Sequence, residues 1–239
     1  MGLLIKAQEL EINQSNKLVE EFNQSADFVA LLEEINKHHQ DVQVEETDIF
    51  QLTFSEEDGE GVNVAAIFVK LDDEVIVQAL KQGEELRVKA HFSKINEFGE
   101  RVIAKAIVKD GEVEIENEIE FNAEYFLFVD ELKNPQGADE ESEVAPAAWY
   151  DGCLTFYSSG NNKYYNYRYC GSKCTGKNFT QTPLNALDSC CRSHDRCWVN
   201  FGKGDDGCDM QLYKCANATS NPGWWMVAEY GYFSATGKL

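Results

Sequence analysis

Apolar residues in the first 130 positions follow two periods. Leu18, Phe22, Val29, Leu32 and Ile35 recur at three-, four- and seven-residue steps, which predicts one amphipathic helix over 16–39. The period then changes to two. In "ELRVKAHFSK", Leu86, Val88, Ala90 and Phe92 alternate with polar residues, and in "EVEIENEIEF", Val113, Ile115, Ile119 and Phe121 alternate mostly with glutamates. Similar runs lie near 48–55, 62–71, 74–80 and 101–109, separated by the turn signals "EDGEG", "LDDE", "EFGE" and "KDGE". One helix followed by about six short antiparallel strands predicts an α+β domain over 1–130. The glutamate-rich faces read as solvated strand faces. His38, His39 and His91 stand isolated and read as surface or structural residues. Residues 131–148 are acidic, carry Pro and Gly, and have no apolar period. They read as a flexible linker open to proteolysis. Residues 149–239 form the second predicted domain.

Composition separates the same two parts. All eight cysteines and all four tryptophans lie from Trp149 onward. Residues 1–145 carry 12 Lys+Arg against 35 Asp+Glu, a net of −23; residues 146–239 carry 9 against 7, a net of +2, and together they give −21. No nucleic-acid partner is expected of so acidic a chain. No run approaches ~20 apolar residues, the length that spans a bilayer. "MGLLIKAQELEIN" lacks the basic start and small-residue cleavage site of a standard secretory signal. The cysteine density nevertheless matches a disulfide scaffold, which needs an oxidising compartment, so a secreted or otherwise extracytosolic protein is expected.

The chemistry concentrates in "LDSCCRSHDRCW". On a helix at ~100° per residue, Cys190, Cys191, Cys197 and Trp198 all fall within about 60° of His194. A second helix is predicted at "DGCDMQLYKCAN", with Asp205 or Asp206 as its N-cap, after a ten-residue loop 198–207. Cys190 and Cys197 are seven apart, as are Cys208 and Cys215. Pairing them as Cys190–Cys215 and Cys197–Cys208 makes two rungs ~10 Å apart between antiparallel helices. His194 then lies between the rungs, near Asp209. Eight cysteines allow 105 pairings, so the matched spacing favours this one without excluding others. Adjacent Cys190 and Cys191 cannot easily share one ion, which argues against zinc. Asp195 points ~100° away from His194. The upstream stretch around Gly171 could offer carbonyls that, with Asp195, suit a hard cation such as Ca²⁺. The alternative for Asp195 is a salt bridge to Arg192 or Arg196.

These residues resemble a known family. "CCRSHDRC" is similar to the C-C-x-x-H-D-x-C helix of secreted phospholipase A2. "YCG" resembles that family's calcium loop, "TPLNALD" its loop-to-helix segment, and "CDMQLYKC" its second long helix. The resemblance covers about residues 150–220. It implies that His194 is the general base, Asp209 the carboxylate that orients it, and Asp195 the Ca²⁺ ligand. It further implies that Tyr169, Gly171 and Lys173 give loop carbonyls and that the Gly171 N–H helps to hold the oxyanion. It implies the disulfides Cys170–Cys191, Cys190–Cys215 and Cys197–Cys208, leaving Cys153 and Cys174 to pair by elimination. The fold implied is a small, mainly α domain with two stapled antiparallel helices. Departures are Lys173 where glycine is usual, a longer loop before the helix, Trp198 where a tyrosine often meets the orienting aspartate, and a short connection between the helices. The shorter plant-type enzymes are more similar.

The function implied is Ca²⁺-dependent hydrolysis of the sn-2 ester of glycerophospholipids at a membrane surface. The acidic N-terminal domain is then a pro- or accessory domain that inhibits intramolecularly until the linker is cut. The alternative is a non-catalytic, membrane-active or antimicrobial module on the same scaffold. The tail "NPGWWMVAEYGYF" reads either as a cap on the small domain, or packing against the N-terminal sheet, or as headgroup-level anchors.

Overall fold

The computed structural model describes residues 3–10, 15–40, 42–55, 62–133, 153–158, 160, 163–171, 174 and 176–237. The chain divides into two compact units. One comprises residues 8–51 and 64–129; the other comprises 130–239 together with 1–7 and 52–63.

The N-terminal part is built on a seven-stranded sheet in sequential order: β1 (Leu3–Glu9), β2 (Glu46–Ser55), β3 (Val62–Asp72), β4 (Val75–Gln82), β5 (Glu85–Ile95), β6 (Arg101–Lys109) and β7 (Glu112–Glu120). β3 to β7 pair antiparallel through short turns. The added strand is β1, whose apolar "LLI" is too short to show a period by itself. The single helix expected over 16–39 is two, α1 (Asn16–Gln24) and α2 (Ala26–Ile35). Ser25 adopts extended backbone and caps α2 by accepting from the Phe28 N–H at 3.1 Å, so the chain turns there. Phe22, Phe28, Leu31 and Ile35 pack on Val77, Ala79, Val88, Ala90, Phe92 and Ala104. Of these, Val88, Ala90 and Phe92 are inward residues that the alternation in β5 predicted.

The opposite face of the sheet is solvated only in part. β7 does present Glu112, Glu114, Glu118 and Glu120 to water. On β4 to β6, however, Gln78, Lys89, His91 and Lys105 are buried. The cover comes from a 3₁₀ turn (Ala123–Leu127) and α3 (Phe128–Lys133), whose Tyr125 and Phe128 rings contact His91. The Tyr125 hydroxyl donates to His91 Nδ1 at 2.8 Å, and His91 Nε2 faces Gln78 Oε1 at 3.3 Å. Burial, then the charges of Lys105 and Lys89, hold the His91 pKa well below its ordinary value, so this histidine is a neutral core residue. The segment expected as a linker begins inside α3; its residues 134–148 lie outside the described residues, as does Trp149.

The cysteine-rich part opens with a hairpin, β8 (Thr155–Ser158) and β9 (Lys163–Asn166). A single left-handed helical turn, α4 (Gly176–Phe179), follows. Then come α5 (Ala186–Phe201), α6 (Asp206–Asn217) and α7 (Trp224–Thr236). α5 continues four residues beyond the expected start of the loop, so only residues 202–205 connect it to α6. Asp205 caps α6 by accepting from the Cys208 N–H at 3.0 Å. Disulfides join Cys153–Cys174, Cys170–Cys191, Cys190–Cys215 and Cys197–Cys208, and none of the cysteines is free. Four such bonds fit an oxidising, extracytosolic compartment. Among the described residues, no helix is long and apolar enough to cross a membrane.

The aromatic tail forms α7, which packs on α6. Trp224, Trp225 and Tyr230 are buried, in keeping with a cap on the small domain rather than with headgroup anchors. The crossing is closest at Gly231. A β-carbon there would lie 2.7 Å from the Tyr213 nitrogen and 2.9 Å from the Asp209 carbonyl oxygen. Both obstacles are backbone and cannot rotate away. Gly231→Ala is therefore expected to destabilise the protein by about 1–3 kcal/mol through overpacking. Thermal melting followed by circular dichroism measures this; a parental melting curve would contradict so close a crossing.

Candidate active site

α5 positions the chemistry on two of its faces. Its N-terminus is fixed first: the Asn185 side chain accepts from the Asp188 N–H at 2.9 Å, and the Asn221 side chain from the Leu187 N–H at 3.1 Å. Cys190, His194 and Cys197 follow at four- and three-residue steps and face α6. There Cys190 and Cys197 bond Cys215 and Cys208. Between these rungs His194 Nε2 meets Asp209 Oδ1 at 2.6 Å. Both side chains are almost wholly buried, at 0% and 1% exposure.

The pair sets the tautomer. An ionised Asp209 only accepts, so Nε2 carries the proton and donates it. Nδ1 then holds a lone pair. It is buried and has no hydrogen-bond partner. Such an atom normally finds one. The Trp198 ring lies against the imidazole at 4.3 Å between centroids. Its indole nitrogen is also buried without an acceptor, so Trp198 packs on the histidine and does not bond Asp209.

Asp195 lies beside Nδ1, with Oδ1 4.0 Å away, too far for a hydrogen bond. Its other oxygen is buried without a partner. The expected alternative, a salt bridge to Arg192 or Arg196, does not form. Burial pushes the Asp195 carboxyl up to about 7, and the charge of Asp188 adds to this. A buried carboxylate oxygen lacking a donor is chemically suited to a hard cation. The site therefore fits Ca²⁺ at Asp195. Among the described residues no three His, Cys, Asp or Glu side chains gather as a metal site. A cation here would have to rely on one carboxylate and on carbonyls.

The loop expected to give those carbonyls is anchored along the face of α5 that carries Asp188, Cys191 and Asp195. Cys170 is bonded to Cys191, one turn before Asp195. Asp188, fully buried, accepts from the backbone N–H groups of Arg168 at 2.9 Å, Tyr169 at 2.8 Å and Leu184 at 2.9 Å. Tyr169 is itself buried, and its hydroxyl donates to the Gln181 carbonyl at 2.5 Å. Gly171 sits at φ 123, and its carbonyl accepts from the Cys174 N–H at 3.3 Å, which leaves a lone pair for a second partner. Lys173 lies outside the described residues. Sequence reasoning missed Asp188; its signal was an aspartate three residues after a helix-capping Asn.

Comparison with known protein families, with curated proteins and with solved structures found no match to this chain.

Proposed function

We propose that the cysteine-rich part hydrolyses a carboxylic ester, the sn-2 ester of a glycerophospholipid, with Ca²⁺ as cofactor. The observation that supports this best is the buried His194 held at Nε2 by Asp209 while Nδ1 is left unpartnered beside Asp195. A base with one nitrogen oriented and the other holding an unpartnered lone pair is the arrangement that general-base catalysis needs. The resemblance to secreted phospholipase A2 supplies the substrate class.

In this reading a water at Nδ1 gives its proton to His194 as its oxygen attacks the ester carbonyl. Asp209 keeps the Nε2 proton and stabilises the imidazolium. The Gly171 N–H donates to the developing oxyanion. The tetrahedral intermediate collapses, the C–O bond to the lysophospholipid breaks, and the leaving alkoxide takes the proton back from His194. Asp195 with the carbonyls of Tyr169 and Gly171 would hold Ca²⁺, which when bound would supply Lewis-acid polarisation of the carbonyl. Secretion, and inhibition by the acidic N-terminal half, belong to the same proposal and rest on the disulfides and the charge split.

Release of fatty acid from mixed phospholipid vesicles, with Ca²⁺ and with chelator, tests the reading. Calcium-dependent release is expected; none under either condition would sink it. A second expectation follows from Asp195. Its carboxyl titrates near 7 in the folded protein, above its ordinary value. Without cation, this group costs stability increasingly as pH rises from ~4 to ~7, because only the unfolded chain ionises freely there. Ca²⁺ requires the ionised form. The calcium-induced rise in melting temperature should therefore be small at pH 5.5 and large at pH 8, with affinity rising up to about tenfold per pH unit below 7. Asp195→Asn should abolish it. A calcium shift independent of pH would count against ligation by Asp195.

A further inference from the structure

On its outer side α5 carries a second feature that the hydrolytic reading does not use. Arg192 and Arg196 are one turn apart, and like charges so placed repel. Neither forms an ion pair among the described residues, and Arg192 Nε is buried without an acceptor. The carboxylates in this helix face elsewhere: Asp188 holds three backbone amides, and Asp195 lies by His194.

Both guanidinium groups instead rest on rings. Arg192 lies 5.6 Å from the centre of Tyr169, and Arg196 5.8 Å from the centre of Phe179. The two rings stack on each other at 6.0 Å and 21°. Placing Phe179 there has a conformational cost. Lys177, Asn178 and Phe179 follow one another at φ 50, 56 and 65. A run of left-handed non-glycine residues is strained, and such strain concentrates at functional positions. Gly176 begins the turn because a β-carbon would lie 2.2 Å from the Tyr169 ring. Rings beneath the guanidiniums restrict their rotamers and leave the terminal N–H groups for an anion. Arginine forks match phosphate oxygens in pairs.

We propose that Arg192 and Arg196, stacked on Tyr169 and Phe179, form a binding site for the phosphate of an anionic lipid headgroup. The lipid source rests on the esterase reading above; the phosphate chemistry does not. Each cation near an anionic surface strengthens binding by about fivefold, so the pair is worth about 25-fold.

The test is sedimentation of the full-length chain with phosphatidylcholine vesicles, with and without one-fifth phosphatidylglycerol, in chelator so that nothing turns over. The acidic half is common to parent and variants, so its repulsion cancels in the ratio. The parent should prefer the phosphatidylglycerol vesicles. R192Q/R196Q should lose about 25-fold of that binding, and R192K/R196K, which keeps the charge without the fork, should fall between. R196Q, at an exposed position, should lose about fivefold and serves if the double variant folds poorly. Equal binding by parent and glutamine variants overturns the proposal, including the case in which melting temperature falls but binding does not. A melting shift by inorganic phosphate alone, with no vesicle binding, overturns the lipid source. Loss of ester hydrolysis with arginine-dependent binding retained would sink the esterase reading and leave this site standing.

Discussion

His194→Gln is expected to lower fatty-acid release by about 10²–10⁴-fold, the usual worth of a positioned general base. The loss should fall on kcat, since the imidazole serves the water rather than lipid binding. The glutamine amide can still donate toward Asp209, so the buried pair keeps its hydrogen bond and the fold should survive. What disappears is the lone pair that Nδ1 holds without a partner. Activity retained within tenfold of the parent would exclude His194 as the base. Asp209→Asn is the companion measurement. An asparagine offers Nε2 either an oxygen or an amino group, so the tautomer is no longer fixed, and a comparable fall in kcat should follow with near-parental melting. If both variants release fatty acid normally while still binding vesicles, the non-catalytic module becomes the better reading.

Much of this site was legible because it lies on two helices with matched spacing. Cysteines seven apart in each helix define both the stapled face and its register, and His194 and Asp209 follow from them. Helix spacing is local information. The rest was less legible because it depends on partners distant in the chain. Asp195 could equally have paired with its neighbours Arg192 and Arg196; in the fold its oxygen is instead buried without a partner. The cover over β4 to β6 was not legible for the same reason. Alternation tells which residues share a face, but Tyr125 and Phe128, more than 30 residues beyond His91's partner Gln78, decide that this face is covered. The helix expected over 16–39 divides at Ser25, where the apolar stripe steps seven residues from Phe22 to Val29, and the cap that divides it is a single hydroxyl.

Asp188→Asn should be strongly destabilising for so conservative a change. The substitution alters one heavy atom and no volume. Oδ1 accepts from both Arg168 and Tyr169, and Oδ2 from Leu184. An asparagine has one oxygen. If it faces the two loop amides, its NH₂ group meets the Leu184 N–H, donor against donor; if it flips, two amides are orphaned. At a site with no water contact each unsatisfied donor costs about 1–3 kcal/mol, so a loss of about 2–4 kcal/mol is expected from chemical or thermal unfolding. Stability alone would mark Asp188 only as structural. Its position predicts more, because one of the amides it holds belongs to Tyr169, whose carbonyl is proposed to face the cation, two residues before Gly171. Residues that support a metal's own ligands typically change its affinity 10–100-fold. In conditions where the variant is fully folded, its calcium midpoint should therefore rise at least tenfold, while Gly231→Ala, also destabilised but at the crossing of α6 and α7, should keep the parental midpoint. Parental melting together with a parental calcium midpoint would mean that Asp188 does not hold the loop. A stability loss with an unchanged midpoint would mean that the loop's position is set by the Cys170–Cys191 bond alone.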